Sequence, residues 1–375
     1  MSMTPRPAAP VEVGRGLLLL GVFHIHALYA ALDHLGNGEL ARQAQWQIKA
    51  LAPHVALYFA LAGMTSRSLA DKAWPLVIQR SLMLLLVALF SHALGVLILH
   101  ALSTPWTSAF DLFVEIARPV IEGTGYSTFV AWFFVVLAIT RLFAFALAKD
   151  WRYFFVALAC TAALVAAARG LGLADNVYEW RNWPAALVLF WLGTRIAPAW
   201  RVPHTVGMLS VIAGLALPLI NRPALWREGV CLACDAGFVA QPRVGGYGFM
   251  PLYFLQEGIA VIGLLWLSQS AATLSVGRFL AYVGRHSMPL LLLHGWLILS
   301  LYGFVAYVLP RGAGAWLFVA IFAINTVLHL ALYRLLRTPL DRFIALCSAA
   351  SRRLTMLLRA VLDRSRRRGA TGPPR

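Results

Sequence analysis

The sequence predicts an all-α, polytopic membrane helix bundle of about ten transmembrane helices with both termini cytoplasmic. Composition is the first reason: of 375 residues, 60% are hydrophobic and only 13% charged, which excludes an ordinary soluble domain. The second is that apolar runs recur near 14–32, 48–64, 75–101, 127–148, 153–171, 183–200, 205–221, 251–270, 286–309 and 313–336. The third is the alternation of charge between those runs. Connections holding Arg67, Lys72, Lys149, Arg152, Arg195, Arg201, Arg278 and Arg285 alternate with connections holding Asp33, Glu39, Asp111, Glu115, Glu122, Asp175, Glu179, Glu228 and Asp235. The positive-inside rule assigns the first set to the cytoplasm. The net charge of +17 follows from this topology and calls for no nucleic-acid partner. Residues 1–338 are read as one integral membrane domain and 339–375 as a basic tail.

The first run, GRGLLLLGVFHIHALYAAL, is too long for the apolar core of a cleaved signal and lacks a small-residue cleavage site, so we read a retained helix. It carries Arg15 at its start and His24 and His26 within. Ionisable groups inside a membrane helix are costly and mark function by default. Arg15 and His26 are eleven residues apart, about three turns plus roughly 20°, so they share a face about 16 Å apart along the axis. His24, two residues from His26, points to roughly the opposite side. One face therefore carries an anion-binding group at the interface and an acid-base group at depth.

Arg15-x10-His26 resembles the first-helix motif of the acyltransferase-3 family of integral membrane acyltransferases, and Glu12 resembles the acid that often precedes it there. The second run ends in Tyr58-Phe59-Ala60-Leu61-Ala62-Gly63, similar to the family's FFxxSG stretch with Ala62 in place of serine. Gly63 reads as a site of close helix packing. The third run holds Arg80, where the family often has R-x-x-R; Val77 and Met83 occupy the partner positions. Arg80 reads either as a phosphate-binding arginine or as a snorkelling side chain. His92 and His100 read as satisfied structural histidines.

Residues 102–126 form a long outer connection that alternates apolar and acidic residues, compatible with a short surface helix. Trp132-Phe133-Phe134 resembles the family's WFL element; by itself an aromatic triplet is usually core or interfacial belt. Asn182-Trp183 and Phe190-Trp191-Leu192-Gly193 are similar to its sixth-helix pattern. The connection 222–250 holds Cys231-x2-Cys234, a local disulfide or two free thiols; a zinc site would need more ligands, and no metal is expected. Cys160 and Cys347 lie in apolar settings. Glu257 is the one acid placed inside a span, near its outer end.

Ser287-x6-His294 resembles the family's late S-x-x-x-Y-L-x-H element, with Leu291 in place of the tyrosine. Seven residues are two turns less about 20°, so Ser287 and His294 share a face. The alternative to catalysis is interhelical hydrogen bonding. Asn325 and His329, four apart, also share a face and are read as contacts to neighbouring helices. The tail 339–375 sets Leu340, Phe343, Ile344, Leu354, Leu357, Leu358, Val361 and Leu362 among arginines, a basic amphipathic helix on the anionic inner leaflet ending in a disordered RRRGATGPPR. For this tail alone nucleic acid is the alternative partner.

The resemblance implies transfer of an acyl group, commonly acetyl, from acyl-CoA to a hydroxyl of a cell-surface or lipid-linked carbohydrate, in the inner membrane of a bacterium. His26 is then the catalytic residue, as base or acyl carrier. Arg15 and Arg80 hold the donor's phosphates, and Glu12, Trp132, Glu257, Ser287 and His294 support. Acyl-CoA, the carbohydrate or glycolipid acceptor and membrane lipid are the expected partners, with no bound cofactor. A neutral histidine is a usual base for an alcohol, and arginine suits phosphate. Two alternatives stand: a glycolipid or polymer transporter, against which the chain shows no half-to-half repeat, and a non-catalytic family member.

Overall fold

A computed structural model describes residues 9–35, 38–69, 71–103, 108–128, 130–147, 150–168, 171–173, 175–197, 199–232, 237–244, 246–308 and 316–370. Among them the architecture is all helical, with a single isolated β-bridge, Gln241 to Gly246. Among the described residues four helices are long and apolar enough to cross a membrane: Pro10–Leu32, Trp74–Ile98, Met250–Ala272 and Trp316–Arg364. Ala131–Leu147, Arg152–Ala167, His204–Ile220 and Ser287–Ile298 are shorter apolar helices.

Helix α1 (Pro10–Leu35) is the centre of the bundle. Proline is suited to its first position, where no N–H is needed, and Glu12 favours the positive end of its dipole. α2 (Glu39–Leu51) and α3 (Leu57–Met64) follow. The expected single span at 48–64 is broken, because Pro53 supplies no N–H and a 3-10 turn, Ala52–Ala56, takes over. α4 (Trp74–Ser103) precedes α5 (Ala109–Ile121), the surface helix of the long connection. Ser108 caps α5 by accepting from the Asp111 N–H at 3.1 Å. Phe110, Phe113, Val120 and Ile121 on α5 are exposed, as on a helix resting in a membrane interface.

α6 (Ala131–Leu147), α7 (Trp151–Ala167), α8 (Trp183–Arg195) and α9 (His204–Ile220) come next, then the single turn α10 (Leu225–Glu228). α11 (Met250–Ala272), α12 (Ser275–Arg285), α13 (Ser287–Val308) and α14 (Trp316–Ala370) complete the chain. The amphipathic α12 was not among the expected elements. α14 also differs from expectation. It passes through Pro339 and the boundary at 338 without a break, so the tail continues the last apolar helix rather than starting a separate one. It remains helical into the RRRGA that was expected to be disordered, as far as Ala370; residues 371–375 lie outside the described residues.

α1 packs against α2, α3, α11, α12, α13 and α14. Two glycine seams bring helix backbones together. A Cβ on Gly16 would lie 2.1 Å from the Leu280 carbonyl oxygen, and one on Gly284 1.8 Å from that of Glu12, so α1 and α12 touch backbone to backbone. Between α3 and α8, a Cβ on Gly63 would lie 2.0 Å from the Phe190 oxygen, and one on Gly193 2.0 Å from that of Ala60. The packing role read for Gly63 is therefore met by the glycine that ends the α8 aromatic pattern.

Candidate active site

His26 opens into a cavity of about 110 Å³ on one side of α1. Its wall is mostly apolar, from Val22, Ile25, Tyr58, Phe59, Val130, Trp132, Phe133 and Leu291. Tyr29, Asn182, Gln241 and Arg243 supply polar groups at its rim. The turn of α1 brings Val22, Ile25, His26 and Tyr29 to this wall because they are three and four residues apart. Leu291, on α13, lines the same space.

Behind His26 runs a chain of imidazoles. His26 Nδ1 is 2.7 Å from His294 Nε2 on α13, and His294 Nδ1 is 3.2 Å from His329 Nε2 on α14. His329 Nδ1 ends the chain 2.8 Å from the Asn325 carbonyl oxygen. Phe23 stacks on His329 with ring centroids 4.1 Å apart and also covers His294. A carbonyl only accepts, so His329 Nδ1 carries a hydrogen. In neutral rings each nitrogen then has a fixed role. His329 Nε2 accepts from His294 Nδ1–H, His294 Nε2 accepts from His26 Nδ1–H, and the lone pair of His26 falls on Nε2.

His24 leaves on the other side of α1, as its position predicts. It sits 2.9 Å from Gln47 Oε1 and edge-on to Phe322, in a shallow pocket distinct from the His26 cavity. His92 is structural: it accepts from the Ser127 N–H at 2.8 Å and donates to the Glu115 carbonyl at 3.1 Å.

Arg15 lies away from the cavity, at the end of α1 near α3. It donates to Thr65 Oγ1 at 3.2 Å, and its carbonyl accepts from the Tyr58 hydroxyl at 3.0 Å. Tyr58 thus joins Arg15 to the cavity wall. Arg141 on α6 comes within electrostatic reach of both Arg15 and the exposed Arg80. Lys72 is held below its ordinary pKa by burial and then by the charges of Arg80 and Arg141. Four cations therefore converge at this end. Glu12 is near Arg15 but forms its ion pair with Arg285 at 2.9 Å. Arg141 was missed in the sequence, although a lone arginine within an apolar run is a signal of the same kind as His26.

Trp132 lines the cavity and His294 backs it; Ser287 and Glu257 do neither. Ser287 opens α13 well before the cavity. Glu257 is buried on α11, where its two oxygens meet His54 Nδ1 at 3.0 and 3.3 Å while His54 Nε2–H donates to the Gly214 carbonyl at 3.0 Å. That pair ties the 3-10 turn to α9 and α11. His54, like Arg141, was missed in the sequence. Cys231 is disulfide-bonded; Cys234 lies outside the described residues. Among the described residues no His, Cys, Asp and Glu group is arranged to hold a metal ion.

No family model, curated protein or solved structure matches this chain. The site's own geometry is therefore what bears on function. It offers one oriented imidazole base, a small apolar cavity with a polar rim, and a cationic cluster some turns away on the same helix face.

Proposed function

We propose that this protein is a membrane-bound O-acyltransferase, moving an acyl group, acetyl in the simplest case, from acyl-CoA to a hydroxyl of a cell-surface or lipid-linked carbohydrate. The carrying observation is the chain from Asn325 through His329 and His294 to His26, which orients His26 with its lone pair on Nε2 at a cavity. An alcohol becomes a competent nucleophile when a positioned base takes its proton, and this is such a base. The hydroxyl proton passes to His26 Nε2, and the alcohol oxygen bonds to the thioester carbonyl carbon. Collapse breaks the carbon–sulfur bond, and the departing thiolate takes the proton back from His26. Products are the ester and free CoA.

The cations Arg15, Lys72, Arg80 and Arg141 suit the donor's phosphates. In this reading Arg141, reaching Arg80 from α6, replaces the second arginine of the family's R-x-x-R. The roughly 16 Å between Arg15 and His26 along α1 is then spanned by the extended arm of CoA. The enzyme crosses the bacterial inner membrane about ten times with both ends cytoplasmic, so the donor enters at the cationic end. The test is a comparison of envelope glycans and lipids by mass spectrometry with and without the gene. A class of molecules losing one acyl mass in its absence is expected; identical ester content in both would overturn the proposal.

A further inference from the structure

The acyl-transfer reading leaves a charge without a host. When the alcohol attacks, the carbonyl electrons move onto oxygen, and an oxyanion forms beside His26. In a water-poor cavity this charge needs a fixed donor or cation, which is commonly the largest single contribution to such catalysis. Among the described residues lining the cavity, Arg243 is the one permanent cation.

Arg243 is held there by built structure. The segment that carries it is closed by paired backbone hydrogen bonds, Gln241 N–H to the Gly246 carbonyl at 2.7 Å and Gly246 N–H to the Gln241 carbonyl at 3.0 Å. The Gln241 side chain donates to the Tyr29 hydroxyl, and Tyr29 is three residues beyond His26 on α1. The segment is thereby pinned to the helix that carries the base. Asn176 Nδ2 donates to the Arg243 carbonyl at 2.5 Å, and Arg243 Nε lies 3.9 Å from Glu179 Oε1.

Glu179 is itself unusual. Among the described residues it and Tyr178 are the two non-glycine residues with positive φ, 57° and 48°, a conformation that persists only where surroundings enforce it and that gathers at functional sites. The enforcing contacts are present. Tyr178 N–H donates to the Gly123 carbonyl at 2.8 Å, and Glu179 accepts from Asn176 at 2.8 Å and from Asn182 at 3.3 Å. Asn182 and Arg243 both line the cavity. One buried side chain on a strained backbone thus meets two polar groups that line the cavity with His26.

We propose that Arg243 is a catalytic residue whose guanidinium receives the oxyanion of the thioester carbonyl, and that Glu179 is the positioning residue that aims it. The inference rests on the acyl-transfer reading. It makes the electron account complete: the proton goes to His26, the negative charge sits at Arg243, and both are discharged when the thiolate leaves.

The experiment uses full-length protein in envelope vesicles, supplied with acetyl-CoA labelled in the acetyl group, with label incorporation and free thiol both followed. Arg243→Gln should lower kcat by about 10² to 10³, the scale of losing an oxyanion donor, with KM for acetyl-CoA within about threefold. Arg243→Lys keeps a charge but not the planar fork and should fall between. Added guanidinium should restore part of the rate of Arg243→Ala, a result that a folding defect would not give. Glu179→Gln should lower kcat less than Arg243→Gln and leave KM unchanged. A kcat for Arg243→Gln near that of the unaltered protein, or an effect confined to KM, would overturn the inference. Activity lost in His26→Ala but kept in Arg243→Gln would overturn it alone. An unaltered protein that transfers no label would overturn the acyl-transfer reading and this inference with it.

Discussion

The Asn325 carbonyl determines which nitrogen of His26 is basic, although it lies two imidazoles away. His329 is the intermediary, and its ring does two separable things: it stacks on Phe23 and it receives the His294 hydrogen. His329→Phe should keep the stacking and remove the acceptor. We expect kcat to fall about 10- to 100-fold, the usual scale for losing a partner that orients a histidine, with the pH–rate profile displaced and KM unchanged. An unaltered profile measured by initial rates would count against the relay. Glu179 gives a second residue-level expectation. Burial raises its pKa to about 7 from an ordinary 4.5, against the pull of Arg243 and the Asn176 hydrogen bond. The folded chain therefore holds a proton that the unfolded chain releases above pH 4.5. This contribution to stability is whole below pH 4.5 and is lost as pH rises through 7. Thermal midpoints across that range should fall with pH in the unaltered protein and flatten in Glu179→Gln. Helical spacing along one chain segment was enough to set His26 and His24 on different sides of α1. Arg243 was not legible, because a connection of irregular backbone brings it to α1 from far along the sequence.

At the scale of elements, the glycine seams explain where helices can meet. Gly193→Ala would drive a Cβ into the Ala60 carbonyl oxygen, and overpacking of this kind costs about 1–3 kcal/mol. Gly258, within α11, has nothing within 4 Å of where its Cβ would stand, so Gly258→Ala should be neutral or gain up to about 1 kcal/mol from helix propensity. Thermal unfolding in detergent separates the two, and equal midpoints would contradict the seam. Hydropathy located the apolar runs but not their joints. Pro53 breaks the second run, and the strongly amphipathic α12 is too polar on one face to register as a span. The boundary read at 338 is not a joint in the backbone, since α14 continues on either side of it and through Pro339.

Across the whole molecule, the cationic cluster and the polar rim of the His26 cavity stand towards opposite ends of α1. That polarity matters only if the two ends face different compartments. A phosphatase reporter after Gly229 should be active and one after Arg375 silent; the reverse pattern would contradict the ten-span topology. The central claim is that acyl transfer depends on a base on the Arg15 face of α1. Its most direct measurement is label transfer from acetyl-CoA by His26→Ala and His24→Ala at matched membrane abundance. The account predicts a loss of about 10² to 10⁴ for His26→Ala, the worth of a positioned acid-base group, and a rate close to that of the unaltered protein for His24→Ala. Equal rates for the two variants would contradict it.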